Sequence, residues 1–150
     1  MNAVIQRVSH ASVEINGSEY ASIQSGLLIL LGISTSDNET DADWLSSKIC
    51  QMRIFSDEAN RMNLSVLDTA GDLLIVSQFT LLASTKKGNR PSFIAAARPE
   101  HAIPLYNYFI NSCEQLLNKK VSTGQFGADM KVSLLNDGPV TIIIDSKNKQ

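Results

Sequence analysis

Three polar residues surround one aromatic ring in Ser77-Gln78-Phe79-Thr80, directly after the apolar run Leu73–Val76. A strand that changes from apolar to polar in this way either meets solvent at its end or opens onto a ligand pocket. In the second case, hydroxyl groups and backbone amides could meet a polarised carbonyl group, and Phe79 could offer its ring face to a base. The four residues alone leave both interpretations open.

A second motif, Asn136-Asp137-Gly138-Pro139-Val140-Thr141, places a Gly-Pro bond between two extended segments. It could be an ordinary turn, since Asn, Asp, Gly and Pro are common turn residues. The Gly-Pro bond could also be cis, because the trans preference before proline is only about 0.5–1 kcal/mol. A cis Gly-Pro unit would turn backbone carbonyl groups toward a ligand with no side chain between them.

The remaining side chains give little support to a catalytic triad, a metal centre or a nucleotide triphosphate site. His10 and His101 are the only imidazoles, and both stand in the sequence context of ordinary histidines. Cys50 and Cys113 lie far apart without neighbouring metal ligands, so we expect buried, reduced thiols. The acidic residues between positions 37 and 43 lack the spacing of a calcium loop. We therefore expect no metal and no cofactor.

Length and charge limit the classes of protein further. The chain has 150 residues, 43% of them hydrophobic, which predicts one packed domain over residues 1–150. Thirteen basic and fifteen acidic side chains give a net charge of −2, so a polyanion would have to be bound locally. The longest apolar run, Leu27–Leu31, is too short for a membrane span. These features predict a cytoplasmic protein with no membrane partner.

Hydrophobic periodicity predicts the elements in the first half of the chain. Alternation predicts two short strands over 2–9 and 11–15, and Asn16-Gly17 predicts a hairpin turn after them. Residues 27–33 are expected to form a strand buried on both faces. An amphipathic helix is expected over 39–52, with start signals at Ser36 to Glu39 and at Thr40 to Asp43.

The second half alternates in the same manner between strand and helix. A buried strand is predicted over 72–82, a loop with a short helical turn after Pro91 over 84–98, and a long helix that starts between Pro99 and Pro104. Two extended runs are joined at 136–139, and the tail 146–150 is expected to fray. The order of elements predicts an α+β fold with a curled, mainly antiparallel, barrel-like sheet and two main helices.

With these motifs in hand, the chain closely resembles the D-aminoacyl-tRNA deacylases, enzymes that hydrolyse the ester between a D-amino acid and tRNA. The resemblance rests on SQFTLL at 77–82 and NDGPVT at 136–141. It extends nearly end to end through VIQRV at 4–8, RIFSD at 53–57, RPSF at 90–93 and the segment 123–130. It implies a homodimer in which Gly138-Pro139 of one subunit enters the pocket of the other.

The resemblance also implies a role for each matching residue. Ser77, Phe79 and Thr80 would form the catalytic part of the pocket. Because no nearby histidine or lysine obviously activates Ser77 or Thr80, our own hypothesis for the chemical step is water attack assisted by the ribose hydroxyl, with backbone amides around Phe79 and Thr80 on the oxyanion. Gln78 would also line the pocket, and Phe126 and Met130 would be nearby walls. Gly138 and Pro139 would contact the substrate from the other subunit, and Arg7 would hold the Gly-Pro loop in place. Such a pocket would read chirality, accept many D-amino acids, admit glycine and reject L-amino acids.

A basic segment follows the first motif and could meet tRNA phosphates. Lys86, Lys87, Arg90 and Arg98 fall within thirteen positions, although a solvated loop would look the same. We expect the aminoacylated end of tRNA as the partner and no DNA. Two other functions stay open: a nucleic-acid-binding dimer without catalysis, and an esterase for small acyl compounds.

Overall fold

A long bent strand organises the sheet of this protein, whose computed structural model describes residues 1–150. β1 (Asn2–Ile15) pairs antiparallel with β3 (Gly26–Gly32) along its first half and with β2 (Ser18–Ile23) along its second half. The predicted turn is confirmed, since Asn16 and Gly17 both have positive φ. Two separate strands over 2–9 and 11–15 were the wrong expectation: register shifts bend β1 without interrupting it.

The other strands extend the sheet on both sides of this centre. β6 (Asp72–Ser77) lies parallel to β3, and β7 (Ser122–Thr123) lies parallel to β6. β8 (Lys131–Asp145) runs antiparallel along the other edge of β1, while β4 (Phe55–Ser56) and β5 (Met62–Leu64) form a separate hairpin. Since the β3–β6 and β6–β7 pairs alone are parallel, the predicted α+β fold with a curled, mainly antiparallel sheet is confirmed.

Two helices cover one face of the sheet. α1 (Glu39–Gln51) is capped by Asn38, whose side chain accepts hydrogen bonds from the amides of Thr40 and Asp41 while the Asp41 carboxylate accepts one from the Asn38 amide. The start signals at Ser36 and Thr40 are therefore wrong, because Asn38 and Asp41 form the reciprocal pair instead. α2 (Pro99–Leu117) begins at Pro99, within the predicted interval, and contains Pro104 inside the helix.

Two further elements differ from the predictions. The strand expected over 72–82 ends at Ser77, and a 3₁₀ turn, Phe79–Leu82, follows it. No helix forms after Pro91; the segment 84–97 is held by two isolated antiparallel bridges, Ser84–Ser92 and Ser34–Ala96. Both differences place backbone next to the end of β3, where contacts distant in sequence decide the local conformation.

Apolar residues on the two faces of the sheet form two cores. Leu27, Ile29 and Leu31 face the helices within the larger cluster, and Leu28 faces the smaller cluster on the opposite side. β3 is thus buried on both faces, as predicted. Cys50 and Cys113 are buried free thiols of the larger core, also as predicted, and the contact with Cys50 together with burial raises the pKa of the Cys113 thiol.

The two ends of the chain meet beside the start of α1. The Met1 amino group donates to Asp37 Oδ1 at 2.6 Å and to Ser146 Oγ at 2.8 Å. Ser146 Oγ donates to Asp41 at 2.8 Å, and Lys147 Nζ lies 2.7 Å from the same carboxylate. The first two residues of the tail, which the sequence predicts to fray, are therefore anchored. Neither α1 nor α2 combines the length and apolar character needed to cross a bilayer.

Candidate functional site

A cavity of about 290 Å³ opens at the carboxyl end of β6. Its volume lies at the lower end of the range for small-molecule sites, which suits one ring system with a short substituent. Ten of its fourteen lining residues are hydrophobic, and together they are Leu31, Ile33, Val76, Ser77, Gln78, Phe79, Ala97, Ala102, Phe126, Gly127, Ala128, Asp129, Met130 and Val132. The cavity therefore unites the SQF part of the first motif with the predicted walls Phe126 and Met130.

The chain turns out of β6 at this cavity because of a close approach to β3. The Gln78 amide donates to the Leu31 carbonyl at 2.8 Å, and the 3₁₀ turn then folds over Gly32. A Cβ atom at Gly32 would lie 2.6 Å from Leu82 Cδ2 and 3.0 Å from the Gln78 carbonyl oxygen. Glycine at the end of β3 thus allows the turn that carries Phe79 to reach its place.

The residues of the first motif do not all face the cavity. Ser77, Gln78 and Phe79 line it, and the exposed Phe79 ring packs edge-on against Phe93 with 5.1 Å between ring centroids. Thr80 is not a lining residue, and its hydroxyl accepts a hydrogen bond from Gln78 Nε2 at 2.5 Å. The amides of Phe79 and Thr80 stand in the first turn of the 3₁₀ segment, where N–H groups have no acceptor within the helix.

The opposite wall is held by a buried tyrosine. Tyr106 of α2 packs against Phe126 with 5.7 Å between ring centroids, and its hydroxyl donates to the Ile75 carbonyl at 2.8 Å. Burial raises the pKa of Tyr106, so the hydroxyl stays a protonated donor at neutral pH. Gly124 leaves room for Met130, whose Sδ would lie 2.5 Å from a Cβ atom at that glycine. This wall is therefore fixed from the core outward.

Sequence reasoning missed several lining residues. Asp129 contributes the one carboxylate of the cavity, beside small residues such as Ala97 and Ala102. Asp129 stands inside the matching segment 123–130, and this position was the available signal for it. The alanines carry no chemical signal, and they line the cavity only because α2 and the preceding loop pack there.

The second motif projects from the sheet at a large bulge. Gln6 pairs with Thr141 and Val8 with Asn136, so the four residues 137–140 oppose the single residue Arg7. The bulge contains the Gly138-Pro139 peptide bond, which is cis. Both residues are exposed, and neither lines the cavity of its own chain.

Arg7 ties this bulge to the β4–β5 region. Its buried side chain donates from Nε to the Asp137 carbonyl at 2.8 Å and from Nη1 to the Ile54 carbonyl at 2.6 Å. Asn136 closes the base of the bulge, since its Oδ1 accepts from the Val140 amide at 2.7 Å. The two hydrogen bonds from the Arg7 guanidinium are charge-assisted, and such bonds are about twice as strong as neutral ones. The position of Gly138 and Pro139 is thus set by Arg7 and Asn136.

No imidazole or amine lines the cavity. His101 Nε2 lies 2.9 Å from the Asp37 carbonyl oxygen, and His10 stands opposite Leu135 in the β1–β8 ladder. A histidine-activated nucleophile is therefore not available at Ser77. Chemistry at this cavity has to come from hydroxyl groups, backbone amides, water, the substrate itself or the Asp129 carboxylate, which is paired with Lys131 Nζ at 3.1 Å.

The basic segment borders a neighbouring groove. Lys86, Lys87 and Arg90 line it together with Leu82 of the 3₁₀ turn, whose first residue, Phe79, lines the cavity. Arg98 is exposed at the start of α2 but does not line this groove. Three of the four basic residues singled out in the sequence thus stand together, one helical turn away from the cavity.

Comparisons with known proteins show the family to which this chain belongs. The D-Tyr-tRNA(Tyr) deacylase family matches residues 4–145. A D-aminoacyl-tRNA deacylase of Cytophaga hutchinsonii is 69% identical over 150 residues and covers 100% of both chains. A solved structure titled c-Myc DNA Unwinding Element Binding Protein is similar with a TM-score of 0.90 and 39% identity, over 97% of this chain and 98% of that one.

A structure described as a probable eukaryotic D-amino acid tRNA deacylase shares the fold, with a TM-score of 0.85 over 95% of this chain and 97% of that one, at 15% identity. The match at the level of sequence spans both the cavity at Ser77–Phe79 and the bulge at Gly138-Pro139. The resemblance read from those two motifs is thereby confirmed: this chain belongs to the D-Tyr-tRNA(Tyr) deacylase family.

Proposed function

We propose that this protein hydrolyses the ester bond of D-aminoacyl-tRNA, and of glycine misattached to tRNA, and spares L-aminoacyl-tRNA. The observation that carries the proposal is the cavity at Ser77, Gln78 and Phe79 in a chain that matches a named D-aminoacyl-tRNA deacylase along its whole length. Its apolar walls suit the adenine ring at the end of tRNA. Its polar rim suits the ester beside that ring.

The chemical step would be addition of water to the ester carbonyl. The cavity holds no imidazole, and its one carboxylate, on Asp129, is exposed and paired with Lys131, so we assign assistance of the water to the ribose hydroxyl next to the ester. The amides of Phe79 and Thr80 would donate to the oxyanion, and the proton of the water would pass to the ribose oxygen that leaves. Loss of one oxyanion donor typically costs about 3–4 kcal/mol in the barrier.

Selection by chirality would come from a second copy of the chain. β8 is paired on one edge only, and Leu135 and Ile143 expose 53% and 76% of their surface along it. An unpaired edge strand with exposed apolar residues favours pairing with another copy. In such a homodimer the bulge at Gly138-Pro139 would enter the partner's cavity.

The bulge would present backbone instead of side chains to the substrate. Carbonyl groups at Gly138 and Pro139 would accept hydrogen bonds from the substrate ammonium group, while a side chain of L configuration would collide with the same backbone. Selection by such exclusion ignores the identity of the side chain. Many D-amino acids should then be accepted, and glycine should not be rejected.

Phosphates of the tRNA would be bound outside the cavity. The neighbouring groove is lined by Lys86, Lys87 and Arg90. These three residues concentrate positive charge at one place on a chain whose net charge is −2. Contacts of this kind position nucleic acid and make its binding depend on salt. They would bring the aminoacylated end to Phe79.

A second candidate is a nucleic-acid-binding protein without catalysis. It is favoured by the solved structure with 39% identity, which is named as a protein that binds a DNA unwinding element. The same basic groove would then bind the nucleic acid, and the cavity would have no reaction to support.

One assay separates these functions from an esterase for small compounds. The protein is incubated in parallel with D-tyrosyl-tRNA, L-tyrosyl-tRNA and a free phenyl ester, and release of the acyl group is followed. Loss of the D form alone supports the deacylase. Loss of none supports the binding protein, and loss of the free ester supports the small-ester hydrolase.

A further inference from the structure

The groove beside the cavity carries an apolar surface that phosphate contacts leave unexplained. Its volume is about 460 Å³, and its lining includes Leu82, Ile94 and Ala95 as well as the three basic residues. Ile94 exposes 89% of its surface, more than any other large hydrophobic residue. Because burial of apolar surface is favourable, an isoleucine this exposed in the lining of a basic groove can hold a planar apolar group.

The loop holds Ile94 in place by backbone hydrogen bonds. The Ala96 amide donates to the Phe93 carbonyl at 3.0 Å, which closes a turn around Ile94. The Thr35 amide donates to the Ala95 carbonyl at 3.0 Å and fixes this turn to the chain after β3. Ile94 is therefore presented by a fixed backbone, so little ordering would be needed when a ligand binds.

The groove and the cavity are neighbours along two short segments. Phe79 lines the cavity and Leu82 lines the groove, at the two ends of one 3₁₀ turn. Phe93 packs against Phe79, and the next residue, Ile94, lines the groove. The three steps from Phe79 to Leu82 span about 6 Å along a 3₁₀ helix, roughly the step from one nucleotide to the next in an extended strand.

The charges around Ile94 suit a nucleotide. Lys86, Lys87 and Arg90 line the groove, while Asp and Glu are absent from its lining. The hydroxyl groups of Ser84 and Ser92 border the same groove and can serve as hydrogen-bond donors. Single-stranded nucleic acid is bound without a sequence preference by a positively charged groove whose side chains, most often aromatic ones, stack on the bases. In this groove the exposed apolar side chain of Ile94 would take that place.

Building on the proposed function, we infer that this groove binds the nucleotide that precedes the terminal adenosine of tRNA, with its base on Ile94 and its phosphate at Lys86, Lys87 and Arg90. The cavity would then bind the aminoacyl-adenosine, and the groove would bind the adjoining single-stranded nucleotide of the tRNA. An ester on adenosine alone would fill the cavity and leave the groove without a ligand.

The test compares D-tyrosyl esters of adenosine and of the ribotrinucleotide CCA on the wild-type protein and on Ile94→Ser. We expect KM for the trinucleotide ester to rise about three- to tenfold, while kcat and KM for the adenosine ester stay unchanged. Leu116→Ser is the matched control, because Leu116 is also a partly exposed apolar residue and lies 14 positions from Ala102 along α2, about 21 Å away. It should alter neither ester.

Binding of fluorescent CCA without an amino acid gives a readout independent of hydrolysis, and Ile94→Ser should weaken it by a similar factor. The inference would be overturned if Ile94→Ser changed the kinetic constants for both esters equally, or for neither. It would also be overturned if Ile94→Ser changed the oligomeric state, because Ile94 would then be a contact between copies of the chain. If the wild-type protein hydrolyses neither ester but binds CCA through Ile94, the proposed deacylase function is refuted and the inferred nucleotide site in the groove is supported.

Discussion

Replacing Gly138 by alanine tests how the bulge works. Gly138 has φ +144, a conformation that residues with a side chain rarely adopt, and an added Cβ atom would lie 2.7 Å from Val140 Cγ2 and 3.1 Å from Arg7 Nη2. The methyl group would therefore meet the bulge's own atoms before any substrate.

The size of the effect follows from the strained backbone and the crowding. A residue held in such a region costs about 1–3 kcal/mol, so we expect Gly138→Ala to lower the free energy of unfolding by about that amount. The bulge would also shift, and misplacing a substrate-positioning group by about 1 Å can cost a factor of about 100 in rate. We expect a loss of that order for D-tyrosyl-tRNA.

Gly17→Ala is the matched control, because Gly17 also has positive φ, at +79, but a Cβ atom there would meet nothing within 4 Å. It should destabilise the fold by about 1–2 kcal/mol and leave deacylation unchanged. Urea denaturation and initial rates with D- and L-tyrosyl-tRNA are measured for both variants. The reasoning is refuted if Gly138→Ala deacylates the D form at the wild-type rate and still spares the L form.

Three other predictions concern a carboxylate, the basic groove and a hydroxyl. Burial opposes ionisation of Asp41, but hydrogen bonds from Lys147, Ser146 and the Asn38 amide outweigh it and lower its pKa to about 2 from 3.8. Since the folded pKa is the lower one, Asp41 should stabilise the fold above about pH 4 by roughly 2 kcal/mol and lose this contribution as pH falls toward 2. Unfolding of wild type and Asp41→Asn across this range tests it, and a difference independent of pH would contradict it. Charge reversal at Lys86 and Lys87 should weaken tRNA binding and flatten its dependence on salt, and an unchanged affinity in a filter-binding titration would remove these residues from the site. Thr80→Ala keeps the backbone amide, so we expect less than a tenfold loss of rate; an acyl-Thr80 adduct found by mass spectrometry would instead make Thr80 a nucleophile.

The elements that the sequence predicted well are those decided by local pattern. Asn16-Gly17 specified its turn, and the continuous apolar run in β3 indicated a strand buried on both faces. The start of α1 was harder, because three overlapping pairs of polar and acidic residues compete there and the Asn38–Asp41 pair forms. Local sequence does not rank such pairs; the burial of Asp41 against Ser146 and Lys147 does.

The sequence predicted several residues that line the cavity, but not the geometry of the cavity. One cavity is lined by Ser77, Phe79, Phe126 and Met130, and their roles in it stay predictions. The 3₁₀ turn after β6 depends on Gly32, which is distant in sequence, and so could not be read from SQFTLL itself. The hydrogen bond from Arg7 to the Ile54 carbonyl is likewise a tertiary contact, and no sequence pattern predicts it.

Complementation between two inactive variants tests the composite site most directly. One chain carries Phe79→Asp, which damages its cavity, and the other carries Gly138→Ala, which damages its bulge. If each active site takes its cavity from one subunit and its bulge from the other, mixed dimers contain one intact site, and random mixing restores about a quarter of all sites. We predict that D-tyrosyl-tRNA deacylation returns to about that fraction of wild type after the two proteins are unfolded and refolded together. A mixture as inactive as its components would contradict the exchange of Gly138-Pro139 between subunits.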